Sequence, residues 1–235
     1  MERLRALLGL EEGEETERLL ERLTIYRQLL IKWNQRMDLT NVPGEDIPLR
    51  HFGDSLLPLY AYPQLFPRGA KLADVGTGAG FPGLPLAIAR PDLQVALIEP
   101  MQKRCDFLSA VLEELSLSNA RVFRLRAEDA GRNAALREAF DITVSRAVAP
   151  LPVLTEYMAP LTQTGGAVLC WKGPAAGGEA AEAENACAAL GCGRPELLPL
   201  SFPGEERWLV KAVKEDKTPE RYPRRAGIPV KRPIR

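Results

Sequence analysis

The chain has 235 residues, 26% of them charged and 46% hydrophobic, with 31 basic side chains against 31 acidic ones. A chain of this length buries roughly 70–75% of its unfolded surface, so one core without disulfide or metal staples is expected, and two full-size domains do not fit. No apolar run reaches the about 18–20 residues of a membrane span, and the start MERLRALLGLEEGEE lacks the basic and apolar regions of a secretory signal, so a cytoplasmic protein with no membrane partner is expected.

The four cysteines stand at 105, 170, 187 and 192, with no histidine nearby; reduced thiols are expected and a metal site is not. Zero net charge argues at first against a nucleic-acid partner, because phosphate binding draws on excess Lys and Arg. The sum hides an asymmetry. Met1–Arg22 holds seven glutamates and four arginines, whereas Arg221–Arg235 holds six basic residues and no acid. A neutral chain can therefore carry a basic end.

From Glu14 to Met37 apolar residues recur at three and four, which predicts a helix with Trp33 in its core face. A second helix is predicted over Pro48–Tyr60, and the breakers Tyr62-Pro63 and Phe66-Pro67-Arg68-Gly69 mark the end of an N-terminal helical extension over residues 1–68. Strands are then predicted at Lys71–Val75, Gln94–Glu99, Arg121–Arg126, Asp141–Ser145, Ala167–Lys172, Glu196–Phe202 and Trp208–Lys214. Helices are predicted between them at Gly83–Ala89, Lys103–Leu115, Ala134–Ala139, Val153–Pro160 and Glu179–Leu190. This alternation implies an α/β fold with parallel strands and crossover helices, and a last pair able to form a hairpin. Seven strands in this order match a Rossmann-like methyltransferase sheet spanning residues 69–217. Residues 218–235 form a basic tail whose prolines at 223, 229 and 233 favour an extended course.

The most informative stretch is Ala73-Asp74-Val75-Gly76-Thr77-Gly78-Ala79-Gly80-Phe81-Pro82-Gly83, directly after the first strand of the sheet. Glycines at this density imply close approach of a ligand to the backbone at a strand's carboxyl edge. Gly78-x-Gly80-x-x-Gly83 matches the dinucleotide fingerprint, but the glycines begin earlier, at Gly76. Asp74 would repel a diphosphate and suits a ligand bearing an ammonium and a sulfonium. Asp74-x-Gly76-x-Gly78-x-Gly80 is the spacing of S-adenosylmethionine sites. Glu99 ends the second strand, where a carboxylate accepts ribose hydroxyls of either cofactor. Ala127-Glu128-Asp129 follows the third strand and either addresses an adenine edge or caps the next helix.

These residues resemble the ribosomal RNA small subunit methyltransferase G family, also called the glucose-inhibited division protein B family, over nearly the whole chain. The resemblance rests on Trp33-Asn34 with Asp38-Leu39-Thr40, His51-Phe-Gly-Asp54-Ser55-Leu56, the Asp74–Gly83 turn, Lys103-Arg104 with Phe107-Leu108, Arg126-Ala127-Glu128, Ser145-Arg146-Ala147, Lys172-Gly173, and Tyr222-Pro223-Arg224-Arg225 with Gly227. It implies methyl transfer from S-adenosylmethionine to N7 of one guanine in 16S rRNA, on the RNA or on a small ribosomal particle. It also implies cofactor contacts at Gly76, Phe81, Ala127, Glu128 and Arg146. Asp38 stands where the family usually has Asn.

Guanine N7 carries its own lone pair, so positioning rather than a general base should carry the reaction. Arg146, beyond the fourth strand, and Lys172, beyond the fifth, are the expected positioning residues; Arg146 would hold guanine O6, a phosphate or the cofactor carboxylate. His51, the single histidine, is expected to tie the N-terminal helices to the sheet together with Asp54. Phosphate or base contacts are expected from Arg126, Arg146, Lys172, Arg207, Tyr222, Arg224 and Arg225, with Tyr222 and Phe81 as stacking surfaces. A monomer is expected. Two alternatives stay open at this point: an NAD-dependent oxidoreductase built on Gly78-x-Gly80-x-x-Gly83, and a non-catalytic RNA-binding factor.

Overall fold

The alternation of short apolar runs and amphipathic stretches resolves, in a computed structural model describing residues 1–235, into one seven-stranded sheet with helices on both faces. The elements run α1 (Glu2–Leu8), α2 (Glu14–Asn34), a π-helical turn (Pro48–Gly53), α3 (Asp54–Ala61), β1 (Lys71–Val75), α4 (Gly83–Ala89), β2 (Gln94–Ile98), α5 (Gln102–Glu114), β3 (Ala120–Phe123), α6 (Ala127–Arg132), β4 (Phe140–Arg146), α7 (Leu151–Met158), β5 (Thr162–Lys172), α8 (Ala176–Ala189), β6 (Glu196–Leu200), β7 (Arg207–Val213) and α9 (Ile228–Lys231). The strand order is β3-β2-β1-β4-β5-β7-β6. β1 to β5 pair in parallel, while β7 inserts antiparallel between β5 and β6.

β1 and β2 are buried from their second residue onward, as strands covered on both faces must be. On one face α1–α5 close over Leu23, Tyr26, Phe52, Phe107 and Leu84, so the N-terminal helices share a core with the sheet. On the other, α6–α8 cover Ala73, Val75, Val168 and Cys170. Strand order reverses between β1 and β4, and ligands bind at such a switch point beyond the carboxyl ends of the strands.

Several expectations are corrected. No helix forms over Ala134–Ala139; the helix after β3 is α6, at Ala127–Arg132. The amides of Glu138, Ala139 and Phe140 donate across the fold to the carbonyls of Pro160 and Leu161 at 2.9–3.2 Å, so helical bonding is replaced by tertiary bonding. The segment predicted as one helix over Pro48–Tyr60 begins as a π turn. Pro58 then lies inside α3 without an N–H for the Asp54 carbonyl, and the Trp171 indole supplies that donor at 2.8 Å. α1 was not anticipated; it buries Leu4 and Leu8. The tail is not extended throughout: it folds back onto α6 and α7, Arg137 donates to the Thr218 and Tyr222 carbonyls at 2.7 and 2.9 Å, and α9 forms near the end.

Candidate active site

β1 ends at Val75 and the chain reverses through Gly76–Pro82 into α4. Gly76 takes φ +73°, a conformation strained for any L side chain, and a Cβ there would lie 2.7 Å from a methyl of Val148. Asp74 fastens the turn from beneath. Its Oδ2 accepts the Thr77 hydroxyl at 2.5 Å and the Gly83 amide at 2.7 Å, and a Cβ on Gly83 would meet that same oxygen at 2.7 Å. Asp74 was expected to face a cationic ligand; instead it is fully buried behind the turn and does not line the cavity in front of it. Burial pushes its carboxyl up to about 7, partly opposed by those two hydrogen bonds, and its Oδ1 has no partner.

In front of the turn lies a cavity of about 580 Å³, within the size range of small-molecule sites. Of the residues expected at a cofactor, Gly76, Gly78, Phe81, Glu99, Ala127, Glu128 and Arg146 line it, and Arg126 stands exposed at its rim. Glu99 is buried. Its two oxygens accept the Gly78 and Met101 amides at 3.1 and 2.9 Å, and Arg104 lies 3.8 Å away, so lone pairs remain for hydroxyl donors. Glu128 is also buried, with Oε1 accepting the tail amide of Gly227 at 3.0 Å. Burial and this neighbouring carboxylate raise Tyr157 to about 12. Gly227 and Val230 of the tail form a wall that sequence reasoning did not place.

Phe81 is not an open stacking surface. Its ring packs between Tyr26 (centroids 5.5 Å) and His51 (4.4 Å), with the Arg146 guanidinium 4.9 Å from the centroid. The Tyr26 hydroxyl closes the column by donating to the Ala79 carbonyl of the glycine turn. Arg146 is held rather than free: it bonds Asp54 Oδ2 at 2.8 Å and His51 Nδ1 at 3.0 Å. Because guanidinium only donates, Nδ1 is the acceptor, and the His51 proton lies on Nε2, donated to Thr40 Oγ1 at 2.6 Å. Burial and Arg146 lower His51 to about 3, so it is neutral. Asn34 holds the loop that presents Thr40, accepting the Leu39 and Thr40 amides at 2.8 and 3.0 Å, while Asp38 is exposed.

A second cavity, about 400 Å³, shares His51, Arg146 and Ala147 with the first. Ala147 has φ +57° and borders both spaces. Lys172 and Arg207 line this cavity, but Lys172 donates to Glu179 and the Ala149 carbonyl at 2.7 and 2.8 Å. Arg207 bonds Asp54 Oδ1 at 3.2 Å and also Glu205. Asp54, buried between Arg146 and Arg207, is thus the hub of the site. The tail departs furthest from expectation. Tyr222 is half-buried beneath Arg221, and Arg224 is spent on buried Glu156, whereas Arg225 stays exposed. His51 and Asp54, read from their spacing as sharing a face, both hold Arg146; Tyr157 and Val230 carried no local signal.

The antiparallel β7, the glycine turn at the switch point and the cavity walled by that turn with Glu99 and Glu128 define a Rossmann-like methyltransferase of the seven-stranded type, not a dinucleotide dehydrogenase with its all-parallel sheet. The fold matches that of a 16S rRNA (adenine(1408)-N(1))-methyltransferase from Catenulisporales acidiphilia, with a TM-score of 0.53 and 19% identity over 64% of this chain and 87% of that one. Residues 19–200 match the family model described as rRNA small subunit methyltransferase G. Relatives bearing that name include one from Carboxydothermus hydrogenoformans, 45% identical over 97% of this chain and 96% of that one, and one from Lactobacillus delbrueckii subsp. bulgaricus, 43% identical over 89% of each. The chain belongs to the rRNA small subunit methyltransferase G family.

Proposed function

We propose that the protein methylates N7 of one guanine in 16S rRNA of the small ribosomal subunit, using S-adenosylmethionine. Family membership supplies the reaction class. The observation that carries the site assignment is the pair of cavities meeting at His51, Arg146 and Ala147: one in front of the glycine turn with the buried carboxylates Glu99 and Glu128 in its wall, the other lined by Arg50, Arg146, Lys172 and Arg207. The larger cavity suits the cofactor. Its walls include Val75, Ile98, Leu125 and Met101 for an adenine, and buried Glu99 for ribose hydroxyls. The backbone at Gly76 and Gly78 leaves space for the methionine end, and Ala127 and Glu128 flank the adenine edge. The bound cofactor supplies an electrophilic methyl group on a sulfonium.

The remaining work falls to orientation. His51 Nδ1 is occupied by Arg146, the Lys172 ammonium is paired with Glu179, and Glu99 and Glu128 are engaged by backbone amides. Neither His51 nor Lys172 is left free to take a proton, which favours an acceptor atom with its own lone pair, as guanine N7 has. Arg146 and Lys172 act as positioning residues: they fix the His51 face and the Ala147–Pro150 loop between which the base enters. Arg126 and Arg225 lie toward RNA, Arg207 is held by Asp54 and Glu205 and shapes the second cavity, and Arg224 and Tyr222 seat the tail. In this reading residues 69–217 are the transfer core, while 1–68 and 218–235 wall the site. Both cavities are built by one chain, which supports action as a monomer.

The test is incubation with methyl-labelled S-adenosylmethionine and unmethylated small-subunit rRNA or particles, followed by mapping of the labelled atom. One labelled guanine N7 is expected. A cofactor-binding preparation that labels no guanine, or another atom, overturns the proposal.

A further inference from the structure

The cations at the strand ends are nearly all neutralised. Arg146 and Arg207 share Asp54, Lys172 holds Glu179, Arg224 holds Glu156 and Arg104 faces Glu99. Phosphate contacts beyond those of the unpaired Arg126 and Arg225 therefore call for further cations, since a guanidinium already paired with a carboxylate has little field left for an anion. One group of exposed cations is different. Lys32 and Arg36, at the end of α2, and Lys103, in the first turn of α5, line a cavity of about 300 Å³ with Trp33, Met37 and Asp106. None of the three enters an ion pair anywhere in the chain. The single acid, Asp106, is turned to Gln102, whose amide donates to it at 2.6 Å.

Two further features concentrate positive potential here. The first turn of α5 contains no acid and carries Lys103 and Arg104, against the preference of a helix N-terminus for negative charge. The carboxylate at this helix start, Glu99, accepts the Met101 amide at 2.9 Å from the cofactor-cavity side and lies 3.8 Å from Arg104, but makes no ion pair with Lys103. Trp33, half-buried edge-on to Phe107 at 5.7 Å, adds an aromatic wall. The place is also right: Met37 lines this cavity and Leu39 the cofactor cavity, and Lys103 lines this one while neighbouring Arg104 lines the other.

We infer that Lys32, Arg36 and Lys103, with Trp33, form a docking site for the RNA strand flanking the target guanine, the three cations taking phosphates and the indole a nucleotide's apolar face. The inference rests on the proposed RNA methyltransferase function. Its test is the triple variant Lys32→Gln, Arg36→Gln, Lys103→Gln, all at exposed positions, against a control triple Arg18→Gln, Arg194→Gln, Lys217→Gln, whose cations line none of these three cavities. Binding to small-subunit rRNA is measured across salt concentrations, with methylation kinetics and S-adenosylhomocysteine affinity alongside. Loss of three phosphate contacts should flatten the log–log salt slope by about 2 and weaken binding on the order of 100-fold in 0.1 M salt, with the control far less affected. KM for RNA should rise, while kcat and cofactor affinity stay within about twofold of wild type. An unchanged salt slope and KM, or an equal loss in the control, overturns the docking site while leaving the methyltransferase reading intact. If the wild type binds rRNA but methylates no guanine in it, the proposed function fails instead.

Discussion

Acidification should probe the His51 network directly. The imidazole is buried against Phe81, its Nδ1 accepts from Arg146 at 3.0 Å and its Nε2 proton goes to Thr40 at 2.6 Å. Burial disfavours the charged ring, and a second proton has only Nδ1 to occupy, facing the guanidinium, so the group is lowered from 6.5 to about 3. The unfolded chain binds that proton below pH 6.5 and the native chain does not. Stability from this residue is therefore complete above pH 6.5 and is lost as pH falls towards 3. At about 1.36 kcal/mol per unit the full loss is on the order of 5 kcal/mol, of which about 3 kcal/mol falls between pH 6.5 and 4.5. Urea unfolding of wild type and His51→Asn across this range isolates the contribution. The gap between the two should narrow by about 3 kcal/mol from pH 7 to pH 4.5. Because the chain has a single histidine, its imidazole resonances also report the titration without ambiguity. A midpoint near 6.5, or a stability gap independent of pH, would refute the assigned hydrogen bonds.

Asp74 has the opposite sign: its native pKa is raised from 3.8 to about 7, so its contribution to stability falls as pH rises through that interval, by about 4 kcal/mol in total. Asp74→Asn keeps an oxygen for Thr77 and Gly83 and should remove this slope, seen as a stability difference between wild type and variant that falls by about 4 kcal/mol from pH 4 to 7 while the opposing His51 slope remains in both. Gly76→Val forces a β-branched residue into φ +73° and against Val148; calorimetry should find S-adenosylhomocysteine affinity abolished and a stability cost of about 1–2 kcal/mol from the backbone alone. Arg224→Gln strips the partner from buried Glu156 and should destabilise by about 3–5 kcal/mol in thermal or urea unfolding. A loss below about 0.5 kcal/mol would mean that the tail is not seated on α7.

Much of the scaffold was legible because it depends on local pattern. β1 and α4 fall where periodicity and the glycine turn put them, at Lys71–Val75 and Gly83–Ala89. The segment Ala134–Ala139 misled because its helix-forming composition is overridden by amide bonds to Pro160 and Leu161, partners that no local window contains. Site residues divide the same way. Glu99 and Glu128 were found from their offsets beyond strands, since the position of a strand end decides what faces the crevice. The duties of Arg146, Lys172, Arg207 and Arg224 were not legible, because each is decided by a carboxylate 7 to 153 residues away.

Charge shows the division most plainly. Sequence by itself determined that the total is zero, that the tail is basic, that a glycine turn follows the first strand of the sheet, and that acids stand at the ends of β2 and β3. Those are properties of composition and of strand and helix period, which the chain carries before it folds. Only tertiary structure decided which cations keep an uncompensated field. Folding brings Asp54, Glu156 and Glu179 to the arginines and lysines that looked available, and leaves Lys32, Arg36 and Lys103 without a partner. The physical reason is range: a hydrophobic period is set by neighbours three or four residues apart, whereas an ion pair acts over a few ångströms between residues that meet only in the folded chain.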